Sequence, residues 1–197
     1  MELSFVSKLN GNKRIYELEN TEIKGWANTT LGLTLQHLCL QYNSKKLELK
    51  QTNILLKFIN NLPIVSVGKF VPYILFENDV AVGGAKTNWM RPYYNIKFKE
   101  DIYELRSHSN NYTSLTYNDD QVALFHKKNL MENGKKEYTV DIADDFMDKL
   151  DLLFLFGMLM DVDLYSLHNE VYSVSYTVDY VPFDKYRGRV KWKSSTK

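Results

Sequence analysis

The stretch DKLDLLFLFGMLMDVD, residues 148–163, constrains the fold more than any other part of the chain. A membrane-spanning helix needs roughly 20 mostly apolar residues. From Leu150 to Val162 there are 13, and they already include Asp151 and Asp161. As a helix they would rise only about 20 Å, and each carboxylate held at the hydrocarbon centre would cost about 2.5–3.5 kcal/mol. The run therefore belongs in a protein interior. Leu, Phe and Met dominate it and β-branched residues are nearly absent, so the expected element is a helix over about 145–160. Asp144, Asp145 and Asp148 precede it, where carboxylates can cap free amides and suit the positive end of the dipole. At the far end Asp161 and Asp163 oppose the dipole, so either the helix stops before them or they meet basic partners. Leu152, Leu153, Phe154, Leu155, Phe156, Met158, Leu159 and Met160 leave no polar stripe. A helix apolar on every side must be covered on every side. In a chain otherwise made of strands, a closed sheet wrapped around the helix does this.

The strands are visible upstream. KRIYELEN, KKLELKQ, YNIKFKE, IYELRSH, YTSLTYN, QVALFHKK and KEYTVDI each alternate or cluster β-forming residues between about 12 and 142. Turn signals separate them, among them Asn10-Gly11-Asn12, Glu77-Asn78-Asp79, Lys99-Glu100-Asp101, Asn118-Asp119-Asp120 and Glu132-Asn133-Gly134. Links this short and polar join antiparallel neighbours. Between Thr30 and Tyr42 the apolar phase changes, which a bulge near Gln36 and His37 or a short helix would explain. The apolar run from Asn53 to Phe76 is interrupted by Pro63 and Pro72, against a spanning helix. A faint repeat sets Asn78-Asp79-Val80-Ala81-Val82, followed by Lys86, against Asp120-Gln121-Val122-Ala123-Leu124, followed by Lys127-Lys128.

The 197 residues suffice for one domain with a sizeable core. Fourteen Tyr and ten Phe favour strands. A formal net charge of +1 gives no global field to attract nucleic acid, so any electrostatic function must be local. No secretory leader is visible, and the single Cys39 excludes an internal disulfide; both point to a cytoplasmic setting. The sequons at Asn28 and Asn111 are then chance matches.

The meander strands YNIKFKE, IYELRSH and YTSLTYN, the turn-strand units NDVAVGGAK and DDQVALFHKK, and KKEYTVDIADDFMDKLDLLFLFGMLMDVD together resemble the tubby C-terminal-like superfamily. That group includes the LURP-one-related proteins, the phospholipid scramblases and small bacterial members. The likeness covers roughly residues 12–163. It implies a mainly β fold, an antiparallel barrel of about twelve strands wrapped around a hydrophobic helix near the C-terminus. It also implies a non-enzymatic module associated with anionic lipid headgroups through basic residues on the barrel. Here 34 residues follow Asp163, more than the family pattern has after its helix. Of these, VYSVSYTVDYV, residues 171–181, has β character and would supply a last strand or an added edge. The expected organisation is one domain over 1–181 and a basic tail over 182–197.

In the tail, KYRGRVKWKSSTK places Arg187, Arg189, Lys191 and Lys193 at period two, so an extended segment shows four cations on one face. Gly188, Val190 and Trp192 fall on the other. Such a strip suits phosphates of lipid headgroups or of nucleic acid, with Trp192 at a membrane interface; the plain alternative is a solvated basic end. Asp144, Asp148 and Asp151 share a helix face and would suit a hard cation, but a solvated cap explains them with fewer ligands. Asp161-Val162-Asp163 lacks the nucleotide-binding context a metal-dependent transferase needs. Cys39 and His37 share a strand face, and the Leu38 and Leu40 around Cys39 point to a packed thiol. His37, His108, His126 and His168 lack zinc spacing. Val82-Gly83-Gly84-Ala85-Lys86 reads as a turn or bulge. The expectation is a binding or scaffold module, peripheral at an anionic membrane, with no cofactor and no specific nucleic acid. The alternatives are a protein-interaction module of the same fold and, less favoured, an enzyme with its site at the barrel mouth.

Overall fold

The computed structural model describes residues 1–28, 35–52, 71–88, 91–108, 111–128 and 135–164. Twelve strands form one closed antiparallel barrel. They are β1 (Glu2–Asn10), β2 (Lys13–Leu18), β3 (Lys24–Asn28), β4 (His37–Tyr42), β5 (Lys45–Gln51) and β6 (Tyr73–Glu77). β7 (Val80–Asn88), β8 (Arg91–Phe98), β9 (Asp101–Ser107), β10 (Tyr112–Tyr117), β11 (Asp120–Lys127) and β12 (Lys136–Ile142) complete it. Each strand pairs with its neighbour in sequence, and β1 pairs with β12 to close the ring, with Phe5 opposite Tyr138. Closure removes every exposed sheet edge.

Period-two burial sets the two faces. On β12, Lys136, Tyr138, Val140 and Ile142 are buried while Glu137, Thr139 and Asp141 between them are half-exposed. Helix α1 (Leu150–Leu159) runs through the ring, and every residue from Asp151 to Leu159 is buried. Phe154 meets Phe5 edge-on at 5.3 Å and Phe156 meets Tyr103 at 5.5 Å. Gly157 allows the helix to approach β1 and β11, since a Cβ there would lie 3.1 Å from the rings of both Phe125 and Phe5. No helix among the described residues is long and apolar enough to cross a membrane.

The helix ends as one of the sequence alternatives has it, but it begins without the expected caps. Asp144–Lys149 forms a 3-10 segment, and no side chain caps it at Ala143. Asp144 instead lies 3.6 Å from the amino-terminal ammonium, and the Asp151 carboxylate accepts the Leu152 amide at 2.8 Å and lies 2.6 Å from Lys45. Past Leu159 the chain widens into a π turn, Met160–Leu164, which carries Asp161 onward to basic partners.

Strand β1 lies outside the strands read from the sequence, yet it supplies the closure. ELSFVSKLN carries Leu3, Phe5 and Ser7 on its inner side, but the polar residues at both of its ends mask the alternation. Residues 171–181 lie outside the described residues, and the ring closes through β1 and β12 without them. Of the stretch from Thr30 to Tyr42, residues 30–34 lie outside the described residues; at Gln36 and His37 no bulge forms, since β4 begins at His37 and pairs with β3 and β5 without a shift of register.

The repeat has a structural counterpart, at a different offset. Asn78 and Asp79 have φ of 49° and 65°, and Asn118 and Asp119 have 50° and 68°, so both hairpins turn through paired left-handed residues. Both then bulge. Leu75 opposes Gly83 while Phe76 opposes Ala81, which leaves Val82 unpaired; Leu115 opposes Ala123 while Thr116 opposes Gln121, which leaves Val122 unpaired. Asn78 therefore matches Asn118, not Asp120.

Truncating Phe156→Ala should cost about 3–5 kcal/mol, and Gly157→Leu at least about 2 kcal/mol through overpacking against Phe5 and Phe125. Urea unfolding of each variant measures both, and wild-type stability for either would contradict the enclosed helix.

Candidate functional site

Arg187, Arg189, Lys191, Lys193 and Trp192 lie outside the described residues. What the structure brings together is a different basic cluster, at the end of the barrel toward which the helix runs. Strands β2, β1, β12 and β11 are adjacent in that order, and their ends carry Lys13 and Arg14, Lys8, Lys135 and Lys136, and Lys127 and Lys128. Lys8 and Lys13 flank the Asn10-Gly11-Asn12 turn and are exposed, and Leu9 beside Lys8 is 56% exposed. Lys128 lies 2.5 Å from Glu137. The opposite rim carries more acid than base among the described residues: Glu17, Glu19 and Glu22, Asp119 and Asp120, and Asp144, Asp145 and Asp148 lie there, together with Lys24, Lys45, Lys46, Lys99 and Lys149. Among the described residues, a net charge near zero therefore conceals a basic cluster at one rim and an excess of carboxylates at the other.

Beneath the exposed lysines lies a buried cluster. Asp161 accepts hydrogen bonds from Tyr16 at 2.8 Å, Lys136 at 3.0 Å, Ser7 at 3.4 Å and the Tyr138 hydroxyl. Arg14 lies 3.7 Å from the same carboxylate and donates to Ser7 at 3.3 Å. These partners come from β1, β2 and β12, the three strands at the closure. Burial alone would raise the Asp161 pKa, but Lys136, Arg14 and the hydroxyls outweigh it and hold the acid below its ordinary range. Burial also moves neighbouring Lys127 down to about 8, with Lys136 adding repulsion. Tyr16 is pushed up by burial and then by Asp161. Asp161, Lys136, Arg14, Ser7, Tyr16 and Tyr138 join the helix end to the seam, which is a structural role.

A second array lies on the outer wall of β2–β6. The Lys13 ammonium sits 4.1 Å over the Trp26 ring, and His37 meets that ring edge-on at 4.7 Å. Glu48 receives His37 at 2.8 Å and both Lys46 and Lys50 at 3.0 Å. Burial would raise the Glu48 pKa; the lysines and His37 bring it to about 2 instead. Cys39 shares this outer face with His37, as the sequence spacing indicates, but burial and then Glu48 push its thiol up, away from the thiolate that nucleophilic chemistry needs. Lys45 and the amino terminus take up Asp151 and Asp144, and among the described residues no group of three His, Cys, Asp or Glu side chains is placed to hold a metal ion.

The crown of lysines left a signal in the sequence. Basic residues stand in pairs at Lys13-Arg14, Lys127-Lys128 and Lys135-Lys136, each at the mouth of a hairpin. They look unrelated until β1 is seen to close the ring, because only closure makes these hairpins neighbours. Comparison with protein-family models, with curated proteins and with solved structures finds no match.

Replacing Asp161→Asn leaves Lys136 and Arg14 buried without their carboxylate and should cost about 3–5 kcal/mol. Because the folded state holds the Asp161 pKa down, its contribution is present above the unfolded value, near 3.9, and is lost as pH falls through the folded one. Acid unfolding monitored by circular dichroism should accordingly show a shallower acid limb in the variant.

Proposed function

We propose that the chain is a non-enzymatic, tubby-like binding module that docks peripherally on anionic membranes, with the lysine crown toward the headgroups. The observation that carries this reading is the uneven charge of the described rims: Lys8 and Lys13 stand exposed on a hairpin tip at one end, while carboxylates outnumber lysines at the other. Near an anionic surface each accessible Lys or Arg contributes about 1 kcal/mol, within a Debye length of about 8–10 Å. A polarised barrel is thus oriented as well as attracted. Exposed Leu9 adds apolar area between the two lysines. The strip Arg187–Lys193 would act in the same sense. The enclosed helix agrees with what the resemblance implies, and the interior groups around Asp161 are engaged with one another rather than turned toward a substrate.

A second reading, a protein-interaction module, rests on Trp26. It is only partly buried on the outer wall and held between Lys13 and His37, and tryptophan with flanking cations is common at the centres of protein interfaces.

Co-sedimentation of the full chain with phosphatidylcholine vesicles containing about one third phosphatidylserine tests the first reading. Binding should require the anionic lipid and weaken with added salt. The double variant Lys8→Glu and Lys13→Glu should lose at least about tenfold, whereas Asp144→Ser with Asp145→Ser should not weaken it. Equal binding to neutral vesicles would contradict the proposal. Binding that is insensitive to the crown but lost on truncation after Asp184 would place the contact on the tail instead.

A further inference from the structure

On the wall opposite the β1–β12 seam, the outer surface of β6–β9 is hollowed into a groove of about 510 Å³. The hollow follows from the β6–β7 bulge and from the glycines beside it. A Cβ on Gly83 would lie 1.9 Å from the Lys97 carbonyl oxygen, and one on Gly84 would lie 2.5 Å from that of Tyr73. Only glycine allows the strands this approach, and where Gly84 faces outward the sheet surface is bare. Pro72 and the 61% exposed Ile102 supply apolar walls.

The polar side chains lining the groove are Lys86, Asn95 and Lys97. Asn95 is paired directly with Lys86 across β7 and β8, and Lys97 with Gly84, so the three side chains share one face. Both lysines are exposed, and none of the three side chains makes an ion pair or hydrogen bond with a described residue. The carboxylate next to Asn95, that of Glu104, is taken by Arg106. Two ammonium groups and an amide offer donors and positive charge, and the volume is that of a small-molecule site with apolar walls and few polar groups.

We propose that this groove binds a phosphomonoester, its phosphate held by Lys86, Lys97 and the Asn95 amide and its apolar body lying against Ile102 and Pro72. The site is separate from the lysine crown and does not rest on membrane docking. The phosphate can come from a soluble metabolite or from a lipid headgroup, and the apolar contact distinguishes such a ligand from bare phosphate.

Titration of the full-length protein with phenyl phosphate, glycerol phosphate, soluble dihexanoyl phosphatidic acid and inorganic phosphate, followed by amide NMR shifts, tests the proposal. Shifts should gather at Gly84, Asn95, Lys97 and Ile102. Phenyl phosphate should bind at least about threefold more tightly than inorganic phosphate through the apolar wall. A free ester is indicated if phenyl phosphate binds more tightly than phosphatidic acid, and a lipid source if the order is reversed. The double variant Lys86→Gln and Lys97→Gln should fold as the wild type and lose about tenfold or more in affinity. Shifts confined to the crown near Lys8 and Lys13, or shifts at the groove unchanged in the double variant, would overturn it.

Discussion

A helix with no polar side must be covered on every side, and the rest of this structure follows from that requirement. The residues from Asp151 to Leu159 are all buried, and twelve strands close around them. The barrel in turn needs the helix, because a ring of this size would otherwise enclose a void bordered by Phe5, Tyr103, Phe125 and Tyr138, with the loss of dispersion contacts that any void brings. Asp161 fixes the arrangement at one end. Its carboxylate draws hydroxyls and cations from β1, β2 and β12, so the two strands that open the barrel, the strand that closes it and the helix meet at one buried charge. A buried ionic cluster adds little net stability over an apolar one of the same volume. What it can supply is register, because only one rotation and depth of the helix brings the carboxylate to all of its partners.

Much of this architecture was legible from residue pattern. Period two across KEYTVDI and its companions gave strands, and the unbroken LLFLFGMLM gave a buried helix. The prolines at 63 and 72 argued against a spanning segment, and residues 53–70 of that run lie outside the described residues. The two flanking aspartates left a choice at the far end of the helix, and the structure resolves it: Asp161 meets Lys136 and Arg14. What the pattern concealed was tertiary. β1 closes the ring by pairing with a strand more than 130 positions away, and no local signal specifies such a partner. The repeat was visible, but its offset was misjudged by two residues, because the Val-Ala steps Val80-Ala81 and Val122-Ala123 match in composition while it is the turn residues Asn78-Asp79 and Asn118-Asp119 that match in structure. The carboxylates before the helix looked like caps, yet a 3-10 start leaves them to the amino terminus and to solvent.

The candidate site was the less legible part for the same reason. Lys8, Lys13, Lys128 and Lys135 come from hairpins far apart in sequence, and only the closed order β2–β1–β12–β11 joins them. The groove at Lys86 and Lys97 depends on Gly83 and Gly84, whose significance in sequence was limited to a turn or bulge. Inside the barrel, by contrast, Asp161 with Lys136, Arg14 and Tyr16 ties the helix end to the strands at the seam. The interior is filled, and the exposed basic groups that the two proposed sites use stand at one rim and on the hollowed wall.

Native-state hydrogen exchange at the amides of Leu152 to Leu159 tests the enclosure most directly. If the helix is the enclosed core of the barrel, these amides should exchange only through global unfolding, with an opening free energy equal to the stability measured in urea. Exchange of the helix through a smaller opening, with the strand amides of β1 and β12 still protected, would contradict the account.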